Sequence, residues 1–206
     1  MSVTFDLYGT LVTANRPAEP WAAVAAQLDA RDVSIPDDWE SAYRSGHVET
    51  EPLEELSLID HTIAALRSRG VNASRPVVRE SLLAAFVGPI NVADGAIDAI
   101  AAASALGPVG ILSNCSLPGL VDATLDRAGL RSETDAVVTS VGCGWRKPHD
   151  RAFEAGADAL GTTCDNMIHI GDDARTDGGG RTTGATVLLT SEVPLCQLPA
   201  RFEAGL

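Results

Sequence analysis

The sequence predicts an α/β fold, a Rossmann-like parallel sheet covered by helices on both faces, with an inserted all-helical domain. Three observations point there. Five short runs of β-branched and aliphatic residues recur: Val3-Thr4-Phe5, Val109-Gly110-Ile111-Leu112, Ala136-Val137-Val138-Thr139, Met167-Ile168-His169-Ile170 and Thr186-Val187-Leu188-Leu189. From Asp94 onward these runs alternate with Ala-rich segments of helix length, and continuous apolar strands alternating with helices mean a parallel sheet buried on both sides. Between the first run and the second, residues 15–91 carry no convincing strand and four helical stretches.

The elements follow in order. The first strand ends on Asp6-Leu7-Tyr8-Gly9-Thr10. Helices are expected over 20–30, 37–45, 53–69 and 76–86; their starts carry Pro or acidic residues, and Gly70 follows the third. Beyond them come helix 95–106, strand two, helix 117–130, strand three, helix 148–160, strand four, a short helix after Arg175 and strand five. The expected division is a sheet-bearing core of 1–14 and 92–206 around a helical domain of 15–91.

The 206 residues suit one domain with a small inserted module. With 45% apolar but only 4% aromatic residues, the core is built from Ala, Val and Leu. A net charge of −13 repels phosphate backbones, which argues against nucleic-acid partners and anionic membranes and leaves a small molecule as the expected partner. The longest uncharged run, 99–121, is broken by Gly107-Pro108, Ser113-Asn114 and Pro118-Gly119, so it does not read as transmembrane. The opening MSVTFDLYGTL has no basic head and reaches Asp6, unlike a signal peptide, so a cytoplasmic location is expected. Cys115, Cys143, Cys164 and Cys196 form no CxxC and read as free thiols. Lys147 is the only lysine; every other basic side chain is Arg. Acid-rich, Lys-poor usage suits a halophilic, high-salt cytosol, and a retained Lys offers a compact ammonium for a small charged site.

Sites in open parallel sheets form at the carboxyl ends of strands. Those ends deliver Asp6, then Ser113-Asn114-Cys115-Ser116, then Gly144-Trp145-Arg146-Lys147-Pro148, then Gly171-Asp172-Asp173-Ala174-Arg175-Thr176-Asp177. Gathered carboxylates repel unless a cation compensates, and Asp6 with Asp172, backed by Asp173 or Asp177, is an oxygen-only set suited to Mg²⁺. Lys147 adds positive charge, and Ser113 with the amides after it can hold an anionic oxygen. This is a phosphoryl pocket facing a carboxylate, the layout for nucleophilic catalysis through an aspartyl intermediate.

FDLYGTL, ILSNCS, GWRKPHDRAFEA and HIGDDARTD, four motifs in order at strand ends, resemble the haloacid dehalogenase-like hydrolase superfamily. The helical segment lies where members of the first cap type carry their cap. The resemblance implies that Asp6 is the nucleophile and that Ser113, with Asn114, binds the transferring group. It makes Lys147 the charge-balancing and substrate-binding group, and places Thr10 of the first motif in the catalytic set. Mg²⁺ would be held by Asp6, the backbone carbonyl of Tyr8 and Asp172, with Asp177 supporting directly or through water. A monomer or homodimer is expected.

Two departures pull apart. Phosphatases of the family have an acid at the position of Tyr8 that protonates the leaving alkoxide, whereas the dehalogenases have Tyr there, since halide leaves unprotonated. Against this, dehalogenases replace the first metal-binding Asp with Ser, and this chain keeps Asp172, Asp173 and Asp177. Without a cation these would repel a 2-haloacid carboxylate by roughly 1–4 kcal/mol per pair at about 4 Å. Dehalogenases also tend to carry Tyr where Phe153 stands, and Arg44 is the one helical candidate for a substrate carboxylate. The acid cluster outweighs the single Tyr. The expected function is Mg²⁺-dependent hydrolysis of a small phosphate ester, with a 2-haloacid dehalogenase-type hydrolase or a weakly active binding relative as alternatives. His47, Glu49, Glu51 or water could donate the missing proton, or a good leaving group could dispense with it. His169 reads as a satisfied core histidine, His149 as solvent-facing, Cys115 as packing, Arg181 as a surface cation and Gly178-Gly179-Gly180 as close packing. Trp145 reads equally as a pocket wall or as packing.

Overall fold

The computed structural model describes residues 1–205. In chain order the elements are β1 (Ser2–Phe5), β2 (Val12–Ala14), α1 (Pro20–Asp29), α2 (Trp39–Arg44), α3 (Leu58–Arg67), α4 (Arg75–Phe86), β3 (Ile90–Val92), α5 (Ala96–Ser104), β4 (Val109–Ser113), α6 (Leu120–Ala128), β5 (Ala136–Thr139), α7 (Ser140–Cys143), α8 (Asp150–Ala159), β6 (Met167–Gly171), β7 (Thr186–Leu189) and α9 (Leu198–Glu203). Five strands form a parallel sheet in the order β5-β4-β1-β6-β7. This is the expected α/β class.

Successive strand residues serve opposite faces. Ile111 and Ile168 join a large core with α5, α6 and α9, while their neighbours Leu112 and Met167 join a smaller one with Phe153 and Ala157 of α8. Apart from Phe5 and Phe153, the largest fully buried side chains are Leu and Ile. Helices α1 to α4 bury Val24, Leu28, Ile59, Leu66, Val78 and Leu82. Ser57 and Ser74 cap α3 and α4, accepting from Ile59 N and Val77 N at 3.2 and 3.5 Å.

Four features depart from expectation. The segment 15–91 is framed by an antiparallel pair, β2 and β3, in which Ala14 faces Ile90; three-residue strands carry too little periodicity to be read. The third helix begins at Leu58, not 53, because Leu53 sits in a left-handed turn at φ +66° and 54–57 runs along the core: Arg146 N donates to Leu53 O and Glu55 N to Gly144 O, both at 2.9 Å. The short helix after Arg175 is a tighter 3₁₀ turn over Asp177–Thr183. Two short helices, α7 and α9, are additional. All four cysteines are free, and among the described residues no helix is long and apolar enough to cross a membrane.

Candidate active site

The strand order reverses around β1, and a crevice opens there beyond the carboxyl ends. Asp6 follows β1, Ser113 ends β4, Asp172 follows β6, and Lys147 arrives on the loop after α7. A cavity of about 250 Å³ is lined by Asp6, Tyr8, Ser113, Asn114, Lys147, Asp172 and Asp173, all singled out from sequence, and by Arg16, Arg146 and Thr176.

Lys147 is 3% exposed. Its ammonium donates to Asp6 Oδ1 at 2.9 Å, Asp177 Oδ1 at 2.6 Å and Leu112 O at 2.7 Å, so all three protons are used. Asn114 grips the same residue's backbone, its Nδ2 donating to Lys147 O at 2.9 Å and its Oδ1 accepting from Lys147 N at 2.8 Å. Asp177 Oδ1 also pairs with His169 Nε2 at 3.0 Å, and Oδ2 accepts from Asp173 N at 3.0 Å. His169 Nδ1 lies 2.9 Å from Thr4 Oγ1; with Nε2–H directed to Asp177, Nδ1 accepts from the Thr4 hydroxyl. A buried chain therefore runs from Thr4 through His169, Asp177 and Lys147 to Asp6, and His169 is the satisfied core histidine expected.

Burial pushes the Asp6 carboxyl above the usual carboxylate range, against the pull of Lys147. Burial also works to raise Asp177, but hydrogen bonding to His169 and the charge of Lys147 carry it well below that range. Burial, aided by Lys147, lowers His169 to about 4.

Carboxylate oxygens of Asp6, Asp172 and Asp177 lie within 4.8 Å of one another, a set that fits a divalent cation. The fit depends on Gly9: at φ +97° it has no Cβ, which would sit 2.5 Å from Asp172 Oδ2. Thr10 donates to Asp172 Oδ1 at 3.2 Å. Asp173 turns instead to Arg175 at 2.9 Å, whose hydrogen bonds hold its carboxyl below the usual range. Ser113 Oγ is buried and has no partner among the described residues. The Tyr8 hydroxyl lies 2.8 Å from Thr124 Oγ1, whose own proton goes to Leu120 O at 2.8 Å, so Tyr8 is the donor. Burial pushes the phenol up to about 12.

Arg44, expected to meet a substrate carboxylate, does not line this cavity: it pairs with Glu40 at 3.0 Å and stacks on the half-buried Trp21 ring at 4.0 Å, which satisfies it locally. Nor do His47, Glu49 and Glu51 line it; the His47 ring bonds Ala42 O at 2.7 Å. Trp145 packs between His149 and Arg151, away from the cavity. His149, read as solvent-facing, is half-buried and caps α8, accepting from Arg151 N at 3.2 Å. Gly179 and Gly180 lie close against Pro148 and Phe153, the packing role expected, and Arg181 is exposed.

Sequence reasoning missed Arg16, Arg146 and Glu55. A second cavity, about 160 Å³, adjoins the first and shares Tyr8, Arg16, Asn114 and Arg146 with it. Its other walls are Glu55, Leu58, Phe86, Cys115, Ser116, Leu117 and Leu120. The Glu55 side chain is 4% exposed, accepts from Ser140 Oγ and pairs with Arg146 at 3.4 Å. Arg146 adjoins Lys147 in its motif, a usable signal; Arg16 and Glu55 carry none, because only tertiary folding brings them to the crevice.

A family model described as haloacid dehalogenase-like hydrolase matches residues 1–180. Among solved structures, a 2-haloacid dehalogenase from Pseudomonas syringae pv. Tomato DC3000 aligns with TM-score 0.66 at 16% identity, covering 99% of this chain and 98% of that one. A HAD phosphatase from Thermococcus onnurineus aligns with TM-score 0.56 at 19% identity, covering 91% and 85%. A predicted phosphoglycolate phosphatase from Haemophilus somnus 129PT aligns with TM-score 0.56 at 14% identity, covering 98% and 97%. At these identities the likeness is one of fold. No curated protein matches the sequence.

Proposed function

The chain belongs to the haloacid dehalogenase-like hydrolases, and within that family we propose a Mg²⁺-dependent phosphohydrolase acting on a small phosphorylated molecule through an aspartyl phosphate on Asp6. The observation that carries this reading is the approach of Asp172 to Asp6 and Asp177 within 4.8 Å, over a glycine that leaves it room. A reaction on 2-haloacids has no use for that carboxylate.

The residues divide the work. Lys147 engages Asp6 Oδ1, which leaves Oδ2 as the attacking oxygen, and its charge favours the ionised carboxylate against the burial that raises it. The unpartnered Ser113 hydroxyl, with Asn114 behind it, offers a donor to a phosphate oxygen. Asp6, the Tyr8 carbonyl and Asp172 would hold Mg²⁺, with Thr10 orienting Asp172. Asp177 stands one step back, because both its oxygens already accept protein hydrogen bonds. The metal, when bound, supplies positive charge for the phosphate oxygens. Segment 15–91 serves as the cap: Glu55, Leu58 and Phe86 face the second cavity from it and would exclude water during attack.

Tyr8 favours the dehalogenase reading, so the assay sets the two against each other. Hydrolysis of 4-nitrophenyl phosphate is expected with Mg²⁺ and lost with EDTA, with no chloride released from 2-chloropropionate; EDTA-insensitive chloride release reverses the conclusion. Asp6→Asn should abolish turnover. Asp172→Asn should weaken Mg²⁺ binding by at least roughly tenfold in calorimetry, since fewer ligand charges hold the ion.

A further inference from the structure

We propose that this enzyme acts on acyl phosphates, whose leaving group departs without a proton, and that Arg16 takes the charge of the departing carboxylate. The proposal rests on the phosphohydrolase reading and names its substrate class.

The first observation is the direction of hydrogen bonds around the crevice. The Tyr8 proton is committed to Thr124 Oγ1, because the Thr124 proton is itself committed to Leu120 O. Lys147 has no free proton: three acceptors take all three. Asn114 is turned onto the Lys147 backbone at both ends of its amide. Glu55, the one carboxyl on the second cavity's wall, has both oxygens engaged as acceptors, by Ser140 and by Arg146. The Cys115 thiol points to Leu117 O at 3.6 Å. None of these five groups stands ready to protonate an alkoxide, a deficit worth roughly 10²–10⁴-fold for a poor leaving group.

The second observation is Arg16. It lines both cavities, its guanidinium 5.3 Å from the Tyr8 ring centroid, and it has no acidic partner among the described residues. A planar fork of donors matches a carboxylate with two parallel hydrogen bonds and cannot lose its own proton. Beyond it, Leu58, Phe86, Leu117 and Leu120 form apolar walls, and about 160 Å³ admits a short acyl chain.

The chemistry closes without an acid. Asp6 attacks phosphorus, an O–P bond forms, and the bond from phosphorus to the acyl oxygen breaks. The electron pair stays on that oxygen, and a carboxylate leaves against Arg16. Water then attacks phosphorus, restoring Asp6 and releasing inorganic phosphate, the water's protons going with the phosphate and to solvent.

The test is a leaving-group series with Mg²⁺: acetyl and butyryl phosphate, 4-nitrophenyl and phenyl phosphate, and propyl phosphate. We expect kcat/KM for the acyl phosphates to exceed that for propyl phosphate by roughly 10²–10⁴-fold. Arg16→Ala should lower the ratio of acyl to 4-nitrophenyl turnover at least roughly tenfold, with Arg16→Lys restoring part of it. Tyr8→Asp, which puts an acid in place, should raise propyl phosphate turnover at least roughly tenfold and flatten the series. Propyl phosphate cleaved within tenfold of acetyl phosphate by the unaltered protein, or an unchanged ratio in Arg16→Ala, overturns the inference and leaves the phosphohydrolase standing. Turnover of no phosphoryl donor, with no phosphate trapped on Asp6, removes both.

Discussion

A lone ammonium wedged between two buried carboxylates is the pivot of the site. Replacing Lys147 by Met keeps the volume and strands Asp6 and Asp177, which should cost about 3–5 kcal/mol in urea denaturation and abolish turnover. His169 adds a pH dependence. Its folded pKa of about 4 lies below the ordinary 6.5, so between these values the unfolded chain binds the proton and the native one does not. Stability should therefore fall as pH drops from about 6.5 to about 4, by on the order of 3 kcal/mol from this group alone. Asp6, with its raised pKa, works in the opposite sense at the lower end; Asp177, with its lowered one, loses its contribution only at more acidic pH. Denaturation of His169→Gln across pH 4.5–7.5 should show a shallower slope. Composition alone singled out Lys147, and position after a strand singled out Asp6 and Asp172. Arg44 misled because its tie to Glu40 and its stacking on Trp21 are satisfied within the helical segment, which no count of charges shows.

Elements were legible in proportion to their length and burial. The five sheet strands are continuous apolar runs, and their carboxyl ends mark the crevice directly from the order of the chain. The paired β2 and β3 and the stretch 54–57 were not legible, since each is defined by a distant partner and not by its own residues. That stretch matters more than its size suggests. Through Glu54 opposite Trp145, Glu55 on Ser140 and Arg146, and Leu58 N on Ser116 O, it stitches the helical segment to the core. Glu55→Ala should cost about 1–2 kcal/mol, Arg146 being half exposed, and should speed protease cleavage within 46–57 several-fold while helix content is kept.

Across the whole molecule the acid excess dominates. At −13 net charge the folded chain repels itself, and added salt screens that repulsion within about 3 Å at molar strength. The melting temperature should therefore rise in molar KCl, measured by calorimetry or dichroism; a fall would remove the idea of adaptation to salt. The same excess makes the crevice unusual, for there Lys147, Arg16 and Arg146 meet the acids on nearly equal terms. The β2–β3 pair has a final consequence. The polypeptide departs at Ala14 and returns at the facing Ile90, so whatever it carries in between is threaded through a single doorway. A two-residue hairpin turn would close that doorway and leave the order of sheet strands untouched. A different excursion of any length would hang from the same jambs, while Asp6, Ser113, Lys147 and Asp172 stayed where the sheet puts them.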